Sequence, residues 1–386
     1  MDSNTDRFDD LRPVNDDEVS SVIKELLADP GFKHAIGYIN PGMPWAEFCA
    51  VMSRFTTKFE FQSNIIAPVV AGLANNTSLG FTASGWENYE GEKPYTFISN
   101  HRDIILDAGL LNVLRHNYGQ QTTEIAIGDN LFVFPWIEKL VRLNKSFVVR
   151  RGVSVRQMLE VSRHLSEYIH YTITEKNESV WIAQRQGRAK DSDDRTQESL
   201  LKMLALAPEK IPIVASLREL NIVPLSISYE YDPCDYLKAQ EFQLKRDDPE
   251  YKKSQANDLK NMETGLLGFK GRIHFRFAKP INDRLDEYCA GCDKQETVLR
   301  IASLIDKEIH SNYEIYPVNY IAYDLVNNSR RFEDKYSTIE REKFIRYVDE
   351  QIDKIRMENK DYAFLKKKIW EMYSNILKNY LAAHEA

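Results

Sequence analysis

The residues best suited to chemistry gather in one stretch, Ser99-Asn100-His101-Arg102-Asp103-Ile104-Ile105-Leu106-Asp107. A β-like run (95–98) ends there and an apolar-periodic helical pattern begins, so His101 stands at a strand-to-helix turn. A carboxylate on one imidazole nitrogen fixes the tautomer and raises basicity. The other nitrogen can then take a proton from a hydroxyl. A hydroxyl activated in this way attacks a thioester or another activated acyl carbonyl. The plainer alternative is that His101 opens the helix and Asp103 is a first-turn charge matched to the helix dipole.

Three further blocks carry polar groups to the ends of β-like runs. Residues 143–152 deliver Arg150 and Arg151 to a turn. Paired guanidinium groups there can clamp a phosphate bidentately, or can cap a strand end in solvent. Residues 180–190 end an apolar run with Arg185, Gln186, Gly187, Arg188 and Lys190. Glycine lets a backbone approach a ligand closely, and the cations hold an anion; the other reading is an ordinary basic loop. Residues 222–231 read as a core strand with a polar end, and 223–227 as structural. Each block is weak alone. Brought together, they set a base, an acid partner and several cations around one point, which suits acyl transfer to a phosphorylated alcohol.

Such convergence needs a sheet. Between residues 94 and 283, β-like runs at 95–99, 123–127, 146–149, 179–183, 222–228 and 272–277 alternate with helical patterns at 104–118, 134–143, 154–174, 197–204 and 212–220. Alternation of this kind predicts an α/β fold on a mostly parallel sheet flanked by helices, with sites at the carboxyl ends of strands. The flanking regions read as helical, with residues 75–80 as a loop. The chain divides at 1–90, 91–290 and 291–386, the last with helical patterns at 296–311, 338–357 and 361–383. The acidic, apolar-poor start, residues 1–17, and the last few residues are expected to be disordered.

Net charge is −7 over 386 residues, which argues against a nucleic-acid-binding surface. No signal-peptide pattern opens the chain and no window reaches the roughly 18 apolar residues of a membrane span. The expectation is therefore a cytoplasmic protein whose membrane contact is peripheral.

In order and spacing, the four blocks resemble the glycerol-3-phosphate and lysophosphatidate acyltransferase family. That family carries N-H-x4-D, G-x-x-F-I-x-R, E-G-x-R-S and apolar V/I-P blocks. Here they correspond to Asn100-His101 through Asp107, Asn144 to Arg151, Gln186-Gly187-Arg188-Ala189-Lys190, and Ile222-Val223-Pro224-Leu225. The segments from Ile125 through Pro135 and from Pro224 to Glu230 are similar to the glycerol-3-phosphate branch. The likeness runs from about Pro94 to Ile281, making 91–290 the acyltransferase domain.

The resemblance implies that His101 is the base, that Asp107 orients it, and that Arg151 and Arg188, with Arg150, Arg185 and Lys190, bind the acceptor phosphate. It implies no metal and no organic cofactor. The co-substrate is an acyl thioester of coenzyme A or acyl carrier protein, or an acyl phosphate. The acceptor is glycerol 3-phosphate or a monoacyl lysophospholipid, in phospholipid synthesis at the inner face of the cell membrane. The alternatives are another lipid or aminolipid acceptor, and a non-catalytic phospholipid-binding homologue.

Two departures stand out. Leu106 holds the family's acid position and Asp107 comes one residue late, so the turn absorbs an insertion or Asp103 takes the role. Asp107 is favoured because Ala108, Gly109, Leu110 and Leu111 continue as the family does. Gln186 stands where the family has glutamate, which bears on acceptor choice.

Other candidates are weaker. Cys289 and Cys292 form a single C-x-x-C, short of the four ligands of a structural zinc site. Residues 131–137 form an apolar run that either faces a membrane or an acyl chain or packs as a buried loop. Most of the 20 Tyr and 18 Phe are expected in the core.

Overall fold

Short apolar runs bounded by turn residues form the strands β1 (Phe81–Ser84), β2 (Thr96–Ser99), β3 (Glu124–Gly128), β4 (Ser146–Val149), β5 (Val180–Ala183), β6 (Ile222–Tyr229) and β7 (Ile273–Phe277). The computed structural model describes residues 6–39, 42–252 and 254–385. The strands make one sheet in the order β1-β7-β6-β2-β5-β3-β4. Every pairing is parallel except β6 with β7. The fold is thus the expected α/β class.

Parallel strands must be covered on both faces, and alternation along β2 shows how. Ile98 joins a core with the helices Val155–Thr174 and Lys294–Ser311, while Phe97 joins one with Leu106–Asn117 and Ala67–Thr77. Both side chains are fully buried, and each contributes about 1.5–3 kcal/mol by leaving water. The chain runs from β2 outward to β3 and β4, returns to β5 beside β2, then crosses to β6 on the other side of β2. The carboxyl end of β2 is therefore a topological switch point, where a crevice opens.

Several elements differ from the sequence reading. β1 had no counterpart in it, being a four-residue edge strand with only partial burial. The helix Ala67–Thr77 runs into residues 75–80, read as a loop. Helices Asp235–Asp247 and Gln255–Leu267 are also absent from that reading, and Pro317–Asn327 lies in a region read as helical but without bounds of its own. The expected disorder of residues 1–17 is corrected where the structure describes them. Phe8 and Leu11 are buried, Phe8 packs edge-on against Tyr168, and Val148 N–H donates to the Leu11 carbonyl at 2.9 Å. Residues 1–5 lie outside the described residues. The closing helix Tyr362–Glu385 carries order to Glu385, so disorder of the last few residues does not hold up to that point. No described helix is long and apolar enough to cross a membrane.

Candidate active site

β2 ends in Ser99, and the turn after it is tied down before it reaches the helix. The Asn100 side chain donates to the Ile227 carbonyl and accepts from Ile227 N–H, both at 2.8 Å, bolting the turn to β6. On the β5 side, Trp181 Nε1–H donates to Ser99 Oγ at 3.0 Å. His101 follows, its ring edge-on to Trp181.

His101 Nδ1 lies 2.8 Å from Asp107 Oδ2. A carboxylate accepts, so Nδ1 carries the hydrogen and Nε2 keeps its lone pair. Asp107 is fully buried, and the same Oδ2 also accepts the backbone N–H of Arg102 (2.6 Å) and of Asp103 (3.0 Å). The turn coils around this one oxygen, so Asp107 and not Asp103 meets the imidazole. Asp103 does something else. Its Oδ1 accepts Ile105 N–H (2.9 Å) and Leu106 N–H (2.8 Å), capping the helix start. Its other oxygen faces Gly265 of the helix Gln255–Leu267.

His101 forms part of the wall of a cavity of about 760 Å³. Arg150, Arg151, Arg185, Gln186, Gly187, Arg188 and Lys190 all line it too. One part of the lining is apolar, with Ile125, Ile127, Leu131, Val149, Leu200 and Met203. Another part is ionic and carries Arg188, Lys190, Lys238, Glu241, Asp258 and Asn261.

The predicted cations are not equivalent. Arg151 packs on Gly128, where a methyl group would sit 2.6 Å from Nε, and the Arg151 backbone N–H donates to Asp129 Oδ1 at 3.0 Å. Burial pulls the Arg151 guanidinium below its ordinary pKa, opposed by Asp129. Arg150 turns to the rim and pairs with Asp10 at 3.3 Å. Arg188 is deeply set, with Nη2 donating to Asn261 Oδ1 at 3.1 Å. Burial pulls its pKa down, but Cys234, Asp232 and Asp103 outweigh that and raise it. Arg188 Nη1 and Arg185 Nε are buried with no hydrogen-bond partner among the described residues. Lys190 is paired with Glu241. Gln186 is exposed and its N–H donates to Gln197 Oε1 at 2.8 Å. Gly187 has φ +70°, a left-handed turn that favours glycine.

Several groups here escaped the sequence reading. Lys238, Glu241 and Asn261 come from the two helices between β6 and β7, the first of which buries Lys238, Glu241 and Gln243 and so offers little apolar periodicity to find. Arg102 and Asp194 are buried and paired at 2.8 Å, although charged residues in sequence suggest solvated ones. The run 131–137 divides. Leu131 lines the cavity, Trp136 packs against Phe32, and Phe134 is half exposed. Cys289 and Cys292 are free thiols.

Residues 80–228 match the family model described as Acyltransferase. That span, similar to the acyltransferase family over those residues, holds the His101 turn, both arginine-bearing loops and nearly all of β6. Among solved structures, the chain is similar to the crystal structure of the 1-acyl-sn-glycerophosphate (LPA) acyltransferase PlsC from Thermotoga maritima. Identity is 10%, the TM-score is 0.36, and 74% of this chain and 91% of that chain are covered. No curated protein matches this chain.

Proposed function

We propose that this protein transfers a fatty acyl chain from an acyl thioester to the hydroxyl of glycerol 3-phosphate or 1-acylglycerol 3-phosphate. One observation carries the reading: a His101 imidazole held by Asp107 on the wall of a cavity lined by hydrocarbon in one part and guanidinium groups in another.

In this mechanism the acceptor phosphate rests on Arg188, Arg185 and Arg151. The unpartnered Arg188 Nη1 and Arg185 Nε supply N–H groups that a phosphate would satisfy. The acceptor O–H gives its proton to His101 Nε2 as its oxygen bonds to the thioester carbonyl carbon. Asp107 stabilises the imidazolium. The tetrahedral oxyanion collapses, the C–S bond breaks, and the thiolate takes the proton back from His101. No acyl-enzyme is formed; no G-x-S-x-G elbow supplies a nucleophilic serine. The acyl chain lies along Ile125, Ile127 and Val149. The donor is acyl-coenzyme A or acylated acyl carrier protein, or an acyl phosphate with phosphate leaving in place of the thiolate, and the protein works at the surface of a bilayer.

Purified protein incubated with labelled glycerol 3-phosphate and an acyl thioester tests this. Product from the wild type and a loss of about 10²–10⁴-fold in kcat for His101→Ala support it; normal turnover by the variant removes it. Binding without product points to a non-catalytic phospholipid-binding role. One observation favours a second acceptor class. Glu241 and Asp258 share the ionic part of the cavity, and carboxylates there suit an acceptor with an amine or several hydroxyls. Exchanging acceptors in the same assay separates the two.

A further inference from the structure

An ion pair joins the turn that carries His101 to the loop that carries Arg185, Arg188 and Lys190. Arg102 Nη2 lies 2.8 Å from Asp194 Oδ2, with side chains 4% and 0% exposed. Asp194 belongs to the loop between β5 and the helix Glu198–Leu204. The base of that loop is closed by Gln197 N–H donating to the Gln184 carbonyl at 2.9 Å.

Each end of the pair is anchored in turn. Arg102 donates its backbone N–H to Asp107 Oδ2, the oxygen that holds the imidazole. Asp194 is gripped from the C-terminal side. Tyr313 O–H donates to its Oδ2 at 3.1 Å, and His310 Nε2–H donates to its carbonyl at 2.8 Å. Two residues on, Asp306 Oδ1 accepts Thr196 N–H and Oγ1–H at 2.7 and 2.6 Å.

Stability is a poor reason for this arrangement. A buried ion pair loses about as much in desolvation as it gains in attraction, and apolar groups of similar volume do as well or better. This pair is also imperfect: the contact lacks hydrogen-bond alignment, and Arg102 Nε and Nη1 and Asp194 Oδ1 have no hydrogen-bond partner among the described residues. What it does supply is a fixed separation. Misplacing a bound group by about 1 Å costs on the order of 10²-fold in rate.

We propose that Arg102 and Asp194 are positioning residues, whose buried pair sets the distance between the His101 base and the arginine loop so that a phosphorylated acceptor held by the loop presents its hydroxyl to Nε2. The proposal rests on the acyl-transfer reading and adds a specific part to it. The C-terminal helix Lys294–Ser311 and Tyr313 thereby belong to the catalytic apparatus, though they touch no substrate.

The test is the double variant Arg102→Met with Asp194→Asn, which removes both charges, nearly keeps the volume and leaves an acceptor for the Tyr313 hydroxyl. Expected is a protein as stable as the wild type, with kcat down about 30-fold or more, a raised KM for glycerol 3-phosphate and an unchanged KM for the acyl donor. Wild-type kcat per folded molecule overturns the proposal. Should the double variant not fold, Tyr313→Phe loosens the same pair by one hydrogen bond. Expected there is a 3- to 10-fold fall in kcat per folded molecule, and unchanged kcat overturns the proposal.

A readout without turnover separates this from failure of the acyl-transfer reading. Glycerol 3-phosphate added to wild-type protein shifts the His101 ring signals in NMR, and in the double variant it binds without shifting them. Identical shifts in both overturn the positioning role even if no acceptor is ever acylated.

Discussion

Asp107 Oδ2 serves three N–H groups at once, two from the backbone and one from the His101 ring. An amide at this position offers either its oxygen or its NH₂ to that cluster, and one choice sets two donors against each other. Asp107→Asn is therefore expected to lower kcat by about 10²–10⁴-fold while leaving KM for the donor in place, as steady-state kinetics would read. Gly265 is the other sensitive position. A methyl group there would sit 2.2 Å from Asp103 Oδ2, the carboxylate that caps the helix after His101. Gly265→Ala should cost about 1–3 kcal/mol, measured by chemical denaturation. An alanine at Gly37, where nothing stands within 4 Å of the new carbon, serves as the control.

Among the elements, the helix Lys294–Ser311 has a built-in acid sensitivity. Burial pushes the His310 pKa down to about 4. Unfolded chain takes up the proton near pH 6.5 and the native protein refuses it until about 4. Stability from this group is thus complete above pH 6.5 and is lost as pH falls from there to 4, by up to about 2 kcal/mol at pH 4.5. Asp235 and Asp306, whose pKa values burial raises to about 7 and about 6, act with the opposite sign over nearly the same range. A single stability curve would blend them. The difference between wild type and His310→Asn isolates the histidine, and the wild type's stability relative to the variant should fall as the buffer is acidified from 7 to 4.5.

Element identity was legible where burial is apolar and local. β2, β4 and β5 are short hydrophobic runs between turns, and their limits differ from the sequence reading by at most one residue. The helix Asp235–Asp247 was not legible, since Lys238, Glu241 and Gln243 are among the residues it buries. Pro317–Asn327 did carry a signal in Val318, Ile321 and Ala322 at helical spacing, which the reading passed over. At the site, the His101–Asp107 block could be read because its members are neighbours in the chain. The Arg102–Asp194–Tyr313 contact could not, because sequence gives no sign that distant charged residues will meet under cover.

Taken as a whole, the molecule knits its outer regions into the sheet. Phe8 and Leu11 share a core with Ile98, and so do Ile301 and Ile305. The C-terminal helices form a further cluster with Ala239, from the segment between β6 and β7. Interlocking of this kind predicts one cooperative unit. Trp181 reports on the sheet and Trp370 on the closing helix. Single-tryptophan proteins retaining one or the other should give superimposable denaturant transitions, whereas separated midpoints would mark an independently folding C-terminal region.

The order of the partners along the chain has a consequence for biosynthesis. Arg102 leaves the ribosome well ahead of Asp194, and Tyr313 comes later still. A nascent polypeptide that has emerged only as far as β6 already owns its histidine and every arginine of the cavity, yet not the hydroxyl and imidazole that steady the aspartate between them. On the proposed function, acyl transfer is therefore expected only once the stretch through Tyr313 has emerged and docked.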